Sequence, residues 1–114
     1  MVREHKLEVK NGLRGGKGDV CFYHIETKEE LCGSGRLFAK IVLPAGSSIG
    51  VHEHVGETEP YYIIKGNGTF IDSDGSKVPV KAGDCCLIKS GETHGLENNS
   101  GEDLELIALV HNVF

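Results

Sequence analysis

No run of lysines or arginines occurs anywhere in these 114 residues, and the formal net charge is −5. A groove that tracks phosphates needs the opposite, so nucleic acid is not the expected partner, and an anionic membrane surface is disfavoured for the same reason. Long apolar stretches are missing too. The opening residues MVREHKLEVKNG hold no signal-peptide core and nothing approaches a membrane span, which gives a cytoplasmic protein as the expectation. Without a secretory signal, Cys21, Cys32, Cys85 and Cys86 are expected as free thiols used in packing, with one of them lining a cavity as the alternative. Cys85 and Cys86 are neighbours, and on a strand they would point to opposite faces, which excludes a shared metal or an unstrained disulfide between them. No internal repeat is long enough to imply a second domain, and the length suits one domain with a single modest core. A phosphate-binding loop fails on spacing: Gly12 to Gly16 encloses three residues where four are needed, Lys17 is followed by Gly18, and no strand is expected before it.

What is present reads mostly as strand. Residues 1–19 alternate poorly and end in RGGKG, which gives an N-terminal arm wrapped on a domain of residues 20–114. VCFYHI (20–25) makes a strand, with His24 a surface or core imidazole. In TKEELC, Thr27 and Glu30 have capping-box spacing, which predicts one or two helical turns, the only clear helix of the chain. From Arg36 onward short strands alternate with turn residues, the habit of an antiparallel sandwich or barrel. RLFAKIVL, IGVHEH, YYIIK opened by Pro60, TFIDS, SKVPV, CCLIK, THGLE and LELIALVHNV follow one another, with Asp74-Gly75 the strongest hairpin signal.

The stretch from Gly46 to Gly66, GSSIGVHEHVGETEPYYIIKG, organises the rest. His52 and His54 are two apart, so an extended backbone points both imidazoles to one face, and Glu59 follows five residues later. Further on, GDCCLIKSGETHGLEN supplies His94 behind a glycine turn. Gly46, His52, His54, Glu59 and Gly66 stand at the intervals of the first cupin motif, and Gly83, Gly91, His94 and Asn98 at those of the second. The chain therefore resembles a small single-domain cupin, a monocupin, over Gly46 to Asn98. One position departs, since Lys89 stands where the second motif usually has proline. That proline shapes a turn and is not a ligand.

The resemblance implies an all-β fold, an antiparallel double-stranded β-helix or jelly-roll barrel, and a metal site built from His52, His54, Glu59 and His94. Imidazole and carboxylate suit one divalent transition metal ion, Mn, Fe, Ni or Zn among them, and do not choose between them. Such an ion with six preferred ligands keeps two positions for a bidentate molecule. That fits an oxygen-rich, anionic small molecule such as an oxo-acid, enediol or diketone, acted on by decarboxylation, dioxygenation or isomerisation. Tyr61 shares the face of Glu59 and is the candidate catalytic residue, as a proton donor or oxyanion partner. Arg36 or Lys40 could turn a cation inward, while Glu53 and Glu57 read as outward or loop residues. The alternative is a non-catalytic binding protein with a structural metal. Many small cupins are homodimers, and the arm before Val20 and LELIALVHNV, taken as an exposed edge strand, are the expected contact.

Overall fold

Strands with strict alternation bury one face here, and the chain is almost entirely such strands. The computed structural model describes residues 1–114. It contains β1 (Lys6–Asn11), β2 (Asp19–Glu26), β3 (Gly35–Leu43), β4 (Ser48–Glu53), β5 (Glu57–Lys65), β6 (Asn67–Ile71), β7 (Lys77–Lys81), β8 (Cys85–Ile88), β9 (Thr93–Glu97) and β10 (Leu104–Asn112). One antiparallel sheet runs β1-β2-β3-β10-β5-β8 and the other β4-β9-β6-β7. Ala39, Ile41 and Leu43 from β3, Leu104, Leu106 and Ala108 from β10, and Tyr61 and Ile63 from β5 meet Ile49, Phe70 and Leu96 of the second sheet in one apolar cluster. This is the jelly-roll barrel expected.

The ends of the two motif stretches are tied together. Gly46, at φ 81 in the turn after Pro44, donates its N–H to the Asn98 carbonyl at 2.9 Å, and the Asn98 N–H returns to the Ser47 carbonyl at 2.9 Å. The fully buried Asn98 side chain donates to the carbonyls of Leu43 and Glu102 at 2.8 and 2.7 Å, so it staples β3 to the loop before β10. Lys89, where proline was expected, donates its backbone N–H to Glu92 Oε1 at 2.7 Å. Proline has no such donor.

Four expectations need correction. Lys6–Asn11, inside the expected arm, is an edge strand paired with β2 from Lys6↔His24 to Asn11↔Asp19. Its six residues are all exposed, and its alternation is inverted, with Lys6, Glu8 and Lys10 in the inward row and Leu7 and Val9 facing out. A strand therefore does precede the glycine cluster, although the other spacing mismatches stand. At TKEELC the capping box forms, with Thr27 N–H to Glu30 Oε1 at 2.9 Å and Glu30 N–H to Thr27 Oγ1 at 3.2 Å. It closes a single turn, because Cys32 (φ 54) and Gly33 (φ 79) become left-handed. The one helical segment is a 3-10 turn at Leu13–Gly15. β5 begins at Glu57, so Pro60 lies inside the strand, where the pairing with β10 runs through Thr58 and Tyr61 but skips Glu59 and Pro60. LELIALVHNV is no edge: β10 sits between β3 and β5, because Leu104, Leu106, Ala108 and Val110 form the middle of the buried face.

Candidate metal centre

A bulge places the first imidazole. The β4–β9 register shifts between Ile49 and His52, and past the shift His52 lies directly opposite His94. Gly50 sits in that bulge, where a Cβ would come within 2.0 Å of the Arg14 carbonyl, so only glycine lets the 3-10 turn lie against β4. The Gly50 carbonyl accepts a hydrogen bond from His52 Nδ1 at 2.7 Å. A carbonyl cannot donate, so the proton of His52 is on Nδ1 and its Nε2 lone pair is free. His54 lies one residue beyond β4, with its backbone held by the Glu92 carbonyl and the Gly91 N–H. Its Nδ1 donates to Glu57 Oε1 at 3.1 Å, and Glu57 is gripped by Arg36 Nε at 2.6 Å and Nη2 at 3.0 Å. Glu59 comes from the inward face of β5, shared with Tyr61 and Ile63, all three buried.

The structure brings His52, His54, Glu59 and His94 together, with one ligand atom from each lying within 4.8 Å of the others. His52 Nε2 is 3.1 Å from His54 Nε2 and 3.2 Å from His94 Nε2, while Glu59 Oε1 is 3.1 Å from His54 Nε2 and 3.0 Å from His94 Nε2. With the Nδ1 protons of His52 and His54 committed outward, two lone pairs face each other at hydrogen-bond distance. Only a proton or a cation between them relieves that contact, and an ionised carboxylate beside them adds the charge a divalent ion needs. The donor set fits such an ion. His94 differs, because its Nδ1 is buried with no partner and its ring is held by stacking on Tyr61 at 5.0 Å and 25°.

Electrostatics follow from this crowding. Burial alone would raise the Glu59 carboxyl, but hydrogen bonds from His54 and His94 outweigh it and hold the group at about 2. Burial, with charge on His94 and His54 adding to it, pushes His52 down to about 4 against the raising effect of the Gly50 carbonyl. His54 moves up, mainly through its contact with Glu59. Burial and then the Glu59 charge push the Tyr61 phenol well above its ordinary value, so it keeps its proton at neutral pH.

A cavity of about 390 Å³ opens over the cluster, lined by His52, His54, Glu59 and Tyr61. Arg36 reaches it and Lys40 does not: Lys40 lies over the Tyr23 ring and near Glu105. Two register shifts opposite the start of β3 free Arg36 from the outward parity it shares with Lys40. His24 also lines the cavity, with its Nε2 3.0 Å from Glu8 Oε1. Sequence reasoning missed Glu8, Lys10, Arg14 and His24 as cavity groups and Glu57 as the partner of His54. Arg14 is itself left-handed at φ 55, beside left-handed Gly12 and Gly15, in the turn that packs against β4. Cys85 is exposed and Cys86 buried, on opposite faces as expected, all four cysteines are free, and burial pushes the Cys86 thiol up to about 11.

A barrel of two antiparallel sheets with a largely buried histidine-rich cluster inside it defines a class, and the chain belongs to the cupin family, whose cupin domain model matches residues 39–110. Among its relatives is the oxalate-binding protein of Thermotoga maritima, 49% identical over 100 residues that span 88% of this chain and 82% of that protein. A crystal structure from Thermotoga maritima, described as a predicted oxalate decarboxylase, matches with a TM-score of 0.92 at 45% identity, covering 99% of each chain. The polyketide cyclase RemF of Streptomyces resistomycificus shares the fold, with a TM-score of 0.75 at 21% identity over 100% of this chain and 86% of that one.

Proposed function

We propose that the chain holds one divalent transition metal ion through His52, His54, Glu59 and His94, and acts there on a small carboxylic acid that chelates through two oxygens. The observation that carries this reading is the pair of Nε2 lone pairs turned on each other at 3.1 Å beside an ionised Glu59. The relatives named for oxalate support an anionic ligand of this kind. Bound in this cluster, the ion would supply Lewis-acid polarisation of the chelated oxygens. The rest is the work of side chains. Lys10, Arg14 and Arg36 line the cavity and draw an anion inward, and the apolar walls limit water around it.

Decarboxylation is the reaction the site best supports. Breaking the carbon–carbon bond of oxalate releases carbon dioxide and leaves an electron pair on the remaining carbon, which must gain a proton to give formate. His24, held by Glu8 on the cavity wall, can bring that proton. Tyr61 keeps its own proton and, in this reading, serves by fixing Glu59 and His94. Binding without turnover is the second reading, favoured by the burial of Tyr61, whose phenol keeps its proton.

The test combines calorimetry and product analysis on protein loaded with manganese, beside a variant carrying His52→Ala and His54→Ala. Oxalate binding with formate and carbon dioxide release, absent from the variant, is the expected result. Binding without formate selects the second reading. Failure of the wild type to take up any divalent ion would sink both.

A further inference from the structure

Oxalate is small for this cavity. It has the bulk of about three waters at roughly 30 Å³ each. The cavity measures about 390 Å³, inside the range of roughly 300–1,000 Å³ that larger organic ligands occupy.

The distribution of side chains says what fills the difference. At the deep end are the buried His54, Glu59 and His94 with His52. At the exposed rim are the charged side chains Glu8, Lys10, Arg14 and Arg36. Apart from His24 and Tyr61 the remaining wall residues are apolar: Phe22, Ile41, Ile49 and Val110 are at most 5% exposed, and Leu13 and Leu37 are half-buried. None of these six offers a hydrogen bond from its side chain. A sugar or polyol of the right size would leave its hydroxyls without partners against them, at a cost of about 1–3 kcal/mol for each group stranded. An apolar body loses nothing there and leaves water on binding.

Resting on the metal reading above, we infer that the natural ligand is a 2-oxo or 2-hydroxy acid carrying a short apolar side chain. The acid head chelates at the His52, His54, Glu59 and His94 cluster, and the side chain lies along the Phe22–Ile41 wall. Oxalate occupies the head position alone.

The inference is tested by calorimetric titration of the manganese-loaded wild type with oxalate, pyruvate, 2-oxobutyrate and 2-oxopentanoate. Each added methylene is expected to tighten binding about four-fold, the equivalent of about 0.8 kcal/mol, until the wall is covered. Leu37→Ser and Leu13→Ser, both at half-buried positions, are expected to flatten that slope, and the slope is read independently of absolute affinity. Oxalate binding with 2-oxo acids that bind no tighter as they lengthen would overturn this inference and leave the proposed function standing. A metal-loaded protein that binds none of the four acids, or a protein that takes up no divalent ion, would overturn both.

Discussion

Glu57 fixes which nitrogen of His54 is free, because it accepts the Nδ1 proton and is itself held by two Arg36 bonds. Glu57→Ala is expected to weaken divalent metal binding by roughly 10–100-fold, the range seen when a ligand imidazole loses its outer partner. Competition with a metal-sensitive dye measures this, and unchanged affinity would remove Glu57 from the site. The same histidines set a pH optimum for the metal-free protein. His54 is raised in the fold, so its contribution is complete below its ordinary 6.5 and is lost as pH rises through the folded value. His52 is lowered to about 4, so its contribution is complete above 6.5 and is lost as pH falls toward 4. The cluster therefore stabilises most near pH 6.5, and urea midpoints across pH are expected to fall on both sides. His52→Gln should remove the part of the acid limb between pH 6.5 and 4 and leave the loss from Glu59, which begins below its ordinary 4.5. The four candidate ligands were legible from their spacing together with the family resemblance that the spacing carries. Glu57, Arg14 and His24 were not, because their places depend on register shifts and on a left-handed backbone that residue order does not reveal.

The β4 bulge is the element on which the centre depends. Without it His52 would not face His94, and Gly50 carries both the bulge and the approach of the Leu13–Gly15 turn. Gly50→Ala is expected to destabilise the protein by about 1–3 kcal/mol through overpacking against the Arg14 carbonyl. A urea transition unchanged from the wild type would show that the turn yields freely. Strands β2 to β10 were legible because one face of each meets the core. β1 was not, because its inward row hangs past the core and is charged, and TKEELC was overread because a capping box starts a helix without deciding where it stops. The central place of β10 follows from pairing on both sides, which a strand's own sequence does not state.

Across the whole molecule, the outer face of the six-stranded sheet is only partly covered. Leu7, Val9, Tyr62 and Leu87 are each about half exposed, and Leu7, Tyr23, Lys40, Ile107, Tyr62 and Cys85 stand in one row of the register. This face, rather than β10 as an edge, is where a homodimer is expected to form. Sedimentation at micromolar concentration should give about twice 12.3 kDa, and Tyr62→Glu should return the monomer. A wild type that sediments at 12.3 kDa throughout would count against it. β1 stands apart from the rest of the fold, because it pairs on one side only and buries no side chain. Its amides are expected to exchange with solvent fastest of any strand. Glu8 and Lys10 overhang the cavity from this strand, so each brief peeling of β1 also widens the mouth. Breathing of the least stable strand and admission of the ligand thus become one motion.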